Sequence, residues 1–268
     1  MDVTSLGFRT DLALLERSGS TIADRGDHLV VATPSNPTFY WGNFLLLDHV
    51  PAGERVGEWL ERFTAAFPEA GHRAFGFDDP HGASCDLSAF GTHGLEVEAS
   101  TVMTAASVHP PPRRNGDATY HALESDADWS QHVELQMACN ETFDSERHLL
   151  FVTRRAASNR ALTGAGLGAW FGAFLGRELV AQMGLVRAGT GLARFQAVET
   201  HPGHRGRGLA GTLVHHVSEY GFRALGAHTL VMVADPGYHA IRVYRSVGFD
   251  DTETQLQAQR APDGDRLT

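Results

Sequence analysis

The sequence contains no lysine, so all 22 of its basic residues are arginine. This absence excludes mechanisms that need a lysine side chain, among them Schiff-base chemistry and phosphate loops of the Walker type. The formal net charge is -10, whereas nucleic-acid binding draws most of its affinity from basic residues. We therefore expect no nucleic-acid partner.

Cysteine is scarce, and long apolar runs are absent. Cys85 and Cys139 form no disulfide or metal-ligand pattern, which fits a reducing compartment and predicts buried thiols. No apolar run approaches the roughly 18 to 20 residues of a membrane-spanning helix, and the N-terminus lacks a basic segment followed by an apolar one. We expect a cytoplasmic protein that binds no membrane. The 15 histidines are scattered, so no metal site is predicted.

Three consecutive prolines and an Asn-Gly turn signal interrupt the chain at residues 109–117. This stretch, HPPPRRNGD, has no periodic apolar residues, which is typical of a linker. The sequence therefore predicts two domains, at residues 1–110 and 118–268.

The second half shows a regular succession of helix and strand patterns. SDADWSQHVELQMACN predicts a helix capped by Ser125, with Trp129, Val133, Leu135 and Met137 as its apolar contacts, and a second helix follows from Glu146 to about Leu162. GAWFGAFL, ELVAQMGLV and ARFQAVETHP predict three antiparallel strands joined by glycine turns. A helix from about Gly206 to Ala224, a buried strand in HTLVMVADP, a short helix in AIRVYRSV and a strand in DTETQLQAQ complete the succession.

The first half repeats this pattern in part. Residues 44–51 in NFLLLDHVP have the spacing of residues 195–202 in RFQAVETHP, and HRAFGFDDP parallels HTLVMVADP. Phe90 stands where Tyr244 stands in the later copy. We interpret this similarity between the two halves as the result of duplication and divergence. Two segments that share only generic strand and turn chemistry are the alternative.

The glycine-rich stretch HPGHRGRGLAG, residues 201–211, lies between a predicted strand and a predicted helix. The first amides of a helix lack intrahelical acceptors and the helix dipole adds partial positive charge, so such a loop is suited to phosphate. Arg205 and Arg207 can add bidentate contacts to phosphate oxygens. An ordinary turn with solvated arginines is the alternative interpretation.

A dinucleotide is one possible guest of this loop. Residues 206–211 match the G-x-G-x-x-G pattern, and Asp235 follows at a suitable distance. Against this interpretation, residues 201–205 separate the strand from the glycines, and the preceding strands are predicted to be antiparallel.

The other interpretation starts from residues 205–210, R-x-x-G-x-A, which resemble the R/Q-x-x-G-x-G/A motif of the GNAT (Gcn5-related N-acetyltransferase) superfamily. A second element of that family, A-x-x-x-Y-x-x-x-G-F, follows at residues 240–249. The resemblance implies an α+β fold in α/β/α layers, with a mixed, mostly antiparallel sheet flanked by helices. Because the first half of the sequence is similar to the second, the resemblance also implies two tandem GNAT-like domains, of which the first is degenerate.

The resemblance also implies acetyl-CoA as cosubstrate. The loop amides would hold its pyrophosphate, and the edge of the preceding strand would pair with the pantetheine arm after diverging from the strand that begins at Thr229. Gly237 replaces an asparagine that family members often carry. The implied cofactor-binding residues are Val198, Glu199, Thr200, Arg205, Gly206, Arg207, Gly208, Leu209, Ala210, Gly211 and Tyr244.

Three residues are candidates for catalysis. Tyr244 matches the hydroxyl that family members place beside the CoA sulfur, where it would protonate the departing thiolate. Glu199 and His201 share one face of the strand by its period of two, and either is a candidate general base. Each has a structural alternative, since Tyr244 fits a core position, Glu199 a hydrogen-bond partner and His201 a turn.

We therefore expect an N-acetyltransferase that transfers the acetyl group of acetyl-CoA to a primary amine by direct attack in a ternary complex. We expect the acceptor to be a small molecule or a peptide, and the net negative charge of the chain favours a cationic amine. The protein is expected to be a monomer or a homodimer. The alternatives are an acetyl-CoA-binding sensor without turnover and a dinucleotide-binding protein.

Overall fold

The chain forms two compact units. Met1–Val102 and the chain from Thr252 onward form the first unit, and Met103–Asp251 forms the second. The computed structural model describes residues 1–82, 85–140 and 145–262.

The first unit begins with a helix, after which strands and short helices alternate. Its elements before the second unit are α1 (Leu6–Arg17), β1 (Thr21–Asp24), β2 (His28–Ala32), β3 (Phe44–Leu47), α2 (Val56–Ala66), β4 (Arg73–Phe77), α3 (Ser88–Thr92) and most of β5 (Glu96–Ala105), whose residues from Met103 on belong to the second unit.

The second unit follows the predicted succession closely. Its elements are β6 (Thr119–Ala122), α4 (Asp126–Ala138), α5 (Ser145–Gly164), β7 (Gly168–Leu175), β8 (Glu178–Gly189), β9 (Leu192–Thr200), α6 (Leu209–Arg223), β10 (Thr229–Ala234) and α7 (Ala240–Arg245).

The last strand, β11 (Asp250–Arg260), belongs to the first unit. It pairs antiparallel with β4, from Leu256 opposite Phe77 to Arg260 opposite Arg73. Leu256 and Ala258 are buried in the core of the first unit. The prediction that residues 118–268 form one domain is therefore wrong for this strand, because its pairing partner and its buried side chains lie in the first unit.

Both units use the same order of strand pairing. In the first, β1, β2 and β3 are antiparallel neighbours, and β4 is parallel to β3. In the second, β6, β7, β8 and β9 are antiparallel neighbours, and β10 is parallel to β9. The predicted mixed, mostly antiparallel sheet is confirmed, and the matching topology supports duplication over a chance likeness.

Helices cover both faces of the sheet in the second unit. Leu185 of β8 lies in the core beneath α6, together with Leu213. Its neighbour Gly184 faces the ring of Trp170, which in turn contacts Trp129 of α4 with ring centroids 6.2 Å apart. Successive residues of a strand point to opposite faces, so α6 and α4 lie on opposite sides of the sheet. This arrangement confirms the predicted α/β/α layers.

Helix α4 has the predicted cap but a different buried face. The Ser125 hydroxyl accepts a hydrogen bond from the Asp128 amide at 3.1 Å, and the Asp128 carboxylate accepts one from the Ser125 amide at 2.8 Å. Val133 and Met137, predicted as core contacts, are only partly buried. The four buried side chains of the helix are Trp129, His132, Leu135 and Gln136.

The stretch 109–117 is a packed segment of the second unit rather than a linker between domains. The Asn115 amide donates to the Thr212 hydroxyl at 2.9 Å, and its side chain donates to the Arg207 carbonyl at 3.0 Å. The prediction is corrected because these hydrogen bonds hold the segment on the start of α6.

Cys85 and Cys139 are free and half-buried, whereas full burial was predicted. Burial and the neighbouring Asp79 carboxylate raise the pKa of the Cys85 thiol, which disfavours the reactive thiolate. None of the described helices is both long and apolar enough to cross a membrane.

Strand β9 carries one extra residue opposite β8. Gln182 faces Glu199 and Gly184 faces Gln196, so β9 advances three residues while β8 advances two. This is a β-bulge, which bends a strand and increases its local twist. Ala197 lies within it at a φ of +47° and is the one non-glycine residue with positive φ in the described part of the chain.

A side chain branched at Cβ should not be tolerated in this bulge. We expect Ala197→Val to lower the free energy of unfolding by about 1–3 kcal/mol, because the left-handed conformation is strained for branched residues. Ala197→Gly is the matched control and should leave stability unchanged or slightly higher, since glycine adopts this φ freely. Urea denaturation of both variants measures the difference, and equal midpoints would contradict the assignment of strain.

Candidate active site

Strands β9 and β10 separate after a short stretch of pairing. Over the described residues of the two strands, the pairing covers only Leu192–Arg194 on β9 and Thr229–Val231 on β10. The bulge at Ala197 follows immediately on β9. The divergence that the resemblance implied for the pantetheine arm is therefore present in the structure.

The divergence leaves a cavity of about 270 Å³ within the second unit. Pantetheine is a narrow chain of amides and methylenes, and a strand edge with free backbone groups can pair with it as with an added strand. The cavity is lined by Arg194, Phe195, Gln196, Ala197 and Val198 of β9, by Met232 and Val233 of β10, and by Tyr244 of α7.

The first unit lacks this gap. Its parallel pair remains in register from Leu45 opposite Phe75 to Leu47 opposite Phe77, and the Asp78 amide continues the ladder to the Leu47 carbonyl at 2.8 Å. The rings of Phe75 and Phe77 both contact Phe90, which replaces the tyrosine of the second unit. Aromatic side chains thus fill the first unit next to the strands that diverge in the second.

The glycine-rich loop connects β9 to α6 through a short 3-10 turn at Pro202–His204. Gly206 and Gly208 have φ values of +72° and +78°, so α6 begins at Leu209 instead of the predicted Gly206. A Cβ atom on Gly208 would lie 2.6 Å from the Arg113 carbonyl oxygen, which leaves room only for glycine. The loop is therefore shaped by its glycines, as a close backbone approach requires.

The backbone amides of residues 206–211 are open for an anion. No acceptor from the described part of the chain bonds to them. The Arg207 guanidinium contacts His204 Nδ1 at 3.0 Å and lies 4.0 Å from the Asp117 carboxylate, while Arg205 Nε donates to the Thr200 carbonyl at 3.3 Å. Both arginines belong to the loop that leads into these amides at the start of α6, where the helix dipole favours negative charge.

Tyr244 is buried and contributes its side chain to the wall of the cavity. None of the described residues makes a hydrogen bond to its hydroxyl. Burial raises the pKa of this hydroxyl, and Tyr238 adds a smaller effect in the same direction. At neutral pH the phenol is protonated and can donate a proton into the cavity.

Glu199 and His201 have different surroundings. The Glu199 carboxylate accepts a hydrogen bond from Gln182 Nε2 at 2.6 Å, and burial raises its pKa to about 7 although this bond acts in the opposite direction. The His201 ring accepts a hydrogen bond from the Gly203 amide at 3.1 Å and so caps the 3-10 turn. The Glu199 carboxyl thus has a pKa suited to proton exchange near neutral pH, whereas the His201 ring is engaged with the turn.

The residues that surround Glu199 were not predicted from the sequence. Gln182 and His132 are fully buried and lie in one hydrogen-bonded chain with it, His132 Nδ1 being 2.7 Å from Gln182 Oε1. The sequence could have indicated that His132 is buried, because Trp129, His132 and Gln136 are spaced to share one face of α4. No group of three or more histidine, cysteine or acidic side chains suited to a metal ion occurs in the described ranges.

The model of the acetyltransferase (GNAT) family matches residues 129–249, which include β7 to β10, the glycine-rich loop and Tyr244. No curated protein matches the sequence.

Solved structures share the fold of the chain. A conserved protein of unknown function from Staphylococcus epidermidis ATCC 12228 has a TM-score of 0.68 at 12% identity, over 90% of this chain and 93% of its own. A GCN5-related N-acetyltransferase from Kribbella flavida has a TM-score of 0.65 at 14% identity, over 95% and 96%.

A third solved structure shares the tandem arrangement. It is a tandem GNAT protein from the clavulanic acid biosynthesis pathway, with a TM-score of 0.55 at 14% identity over 81% of this chain and 74% of its own. The predicted membership and fold are confirmed. Residues 129–249 belong to the GNAT acetyltransferase family, and the chain has the fold of its tandem members.

Proposed function

We propose that this protein is an N-acetyltransferase that transfers the acetyl group of acetyl-CoA to a primary amine of a small-molecule or peptide acceptor. One observation carries the proposal. The cavity between the diverging strands β9 and β10 is lined by Tyr244, and the open amides of residues 206–211 follow the same strand. A site for a thioester arm and a site for its phosphates therefore lie in succession along the chain.

The residues present fit acetyl-CoA. The amides of residues 206–211, with Arg205 and Arg207 beside them, would hold the pyrophosphate. The backbone of Val198, Glu199 and Thr200 would pair with the pantetheine arm along the edge of β9 that β10 leaves open. Family members often carry an asparagine where Gly237 lies, so one side-chain contact to the arm is absent here.

In this mechanism one side chain accepts a proton and another donates one. Acetyl-CoA supplies the activated acetyl group when it is bound. Glu199 takes a proton from the amine that attacks in the ternary complex, and its pKa of about 7 suits that exchange. Tyr244, protonated at neutral pH, donates a proton to the departing thiolate from the wall of the cavity. His201 caps the turn and holds the loop in place.

Binding of acetyl-CoA is the first test. A ligand present at 100 times its dissociation constant should stabilise the protein by about 2.7 kcal/mol, a shift that is readily visible in thermal unfolding. We expect acetyl-CoA to stabilise the wild type and an Arg205→Ala, Arg207→Ala double variant to lose most of the shift. Arg223→Ala, at the other end of α6, is the matched control and should keep it.

The same experiment with NAD and NADP decides between the two interpretations of the loop. No stabilisation by either dinucleotide is expected. Stabilisation by a dinucleotide without an effect of acetyl-CoA would overturn the proposal.

Removal of the Tyr244 hydroxyl should separate turnover from binding. We expect Tyr244→Phe to lower kcat by about 100-fold, the lower range of a general acid contribution, while the Kd of acetyl-CoA stays unchanged. Release of free CoA thiol with a panel of amines gives kcat, and calorimetry gives Kd. A protein that binds acetyl-CoA but transfers acetyl to none of the amines would favour a sensor over an enzyme.

Glu199→Gln should change both activity and the pH dependence of stability. Wild-type kcat should rise as pH increases through about 7, since the carboxylate is the active form, and the variant should lose this rise together with about 100-fold in kcat. A kcat that is unchanged across this range would exclude the base role.

The stability effect follows from the direction of the pKa shift. The folded protein keeps a proton on Glu199 between about pH 4.5 and 7 that the unfolded chain has lost, so this group lowers stability progressively as pH rises through that window. The melting temperature of Glu199→Gln should therefore exceed that of the wild type above pH 7. The difference should shrink toward pH 4.5.

A further inference from the structure

A chain of buried polar side chains leads from α4 to Glu199. Gln136 Nε2 lies 2.9 Å from His132 Nε2, His132 Nδ1 lies 2.7 Å from Gln182 Oε1, and Gln182 Nε2 lies 2.6 Å from Glu199 Oε2. His132 and Gln182 are completely buried, and Gln136 is nearly so. We call these four residues the polar chain.

The donors of the polar chain all point toward Glu199. Gln182 Nε2 faces two acceptors, the Glu199 carboxylate and the His132 carbonyl at 3.2 Å, so its amide group can be oriented in only one way. Gln182 Oε1 must then accept a proton from His132 Nδ1. His132 Nε2 is left as the acceptor for the Gln136 amide group.

The imidazole of His132 is neutral in this arrangement. Its Nε2 accepts a hydrogen bond and carries no proton, and burial lowers its pKa to about 4, against a small opposing effect of Gln182. Each nitrogen of the neutral ring therefore has a single, fixed role. When every group in a hydrogen-bond network acts only as donor or only as acceptor, the network holds its last group in one position. Here that last group is the Glu199 carboxylate.

Packing alone does not explain these residues. Burying polar side chains costs free energy unless every group is hydrogen-bonded, and apolar side chains of similar volume would fill the same space without that cost. The polar chain ends at the one member that remains partly exposed, the carboxylate of Glu199. Its Oε2 is held by Gln182, while none of the described residues donates to its Oε1.

We propose that Gln182 is a positioning residue for Glu199, and that His132 and Gln136 fix the orientation of the Gln182 amide group. The inference rests on the proposed function, in which Glu199 is the general base. Gln182 holds one carboxylate oxygen and leaves the other to the incoming amine. His132 is the titratable member of the polar chain besides Glu199. Cys139, the C-cap of α4, donates to the Thr200 carbonyl next to Glu199, and His201 follows β9.

The activity test uses variants that keep volume and lose a hydrogen bond. We expect Gln182→Met and His132→Phe to lower kcat by about tenfold or more, because a misplaced base loses its alignment, with the Kd of acetyl-CoA unchanged. His132→Asn keeps a donor near the Nδ1 position and should recover part of the loss. His216→Phe, a histidine of α6 outside the polar chain, is the matched control and should keep wild-type kcat.

The background of Glu199→Gln separates positioning from a merely structural role. If Gln182 and His132 act through Glu199, their substitution should have no further effect on kcat when the carboxylate is already absent. Equal losses of kcat in both backgrounds would overturn the proposal.

A second measurement does not depend on activity. In protein with 13C-labelled glutamate, the carboxyl resonance of Glu199 should titrate near pH 7, and Gln182→Met should move the midpoint upward, because the hydrogen bond that lowers this pKa is lost. An unchanged midpoint would overturn the proposal. A wild type that shows the expected titration but transfers no acetyl group would refute the proposed function and leave the link between Gln182 and Glu199 intact.

Discussion

The second unit depends on the single extra residue in β9. Parallel strands in a regular ladder stay about 4.8 Å apart, which leaves no space for a ligand between them. The bulge at Ala197 follows the three paired positions of β9 and β10, and the cavity, with Tyr244 in its wall, lies where the two strands part.

The two units show what the same topology does with and without this bulge. In the first, parallel strands stay in register to their ends, and phenylalanine rings fill the space beside them. In the second, the same pair diverges, and a tyrosine replaces the phenylalanine at the cavity wall. With little change in the order of strands, one half thus has a packed core beside its parallel pair and the other has an opening.

The sequence predicted the elements of the second unit well, because each has a local cause. The apolar strands, the cap at Ser125 and the glycine turns are all encoded within a few residues. The glycine loop and Tyr244 were found because their spacing resembles a family motif.

What could not be predicted depends on contacts between distant residues. The place of β11 is set by its pairing with β4, and the bulge at Ala197 becomes visible only in its register with β8. The buried face of α4 was misjudged because His132 and Gln136 are polar. Their burial makes sense only once Gln182, some fifty positions away in the chain, supplies the hydrogen-bond partner.

The place of β11 also determines the order in which the molecule can be completed. The first unit receives this strand only after the whole of Met103–Asp251 has been synthesised. Until then β4 has an unpaired edge beside a phenylalanine-rich core, and such edges invite association with other chains. The first unit, although most of it is synthesised first, therefore cannot complete its pairing at β4 until the chain beyond Asp251 has been made.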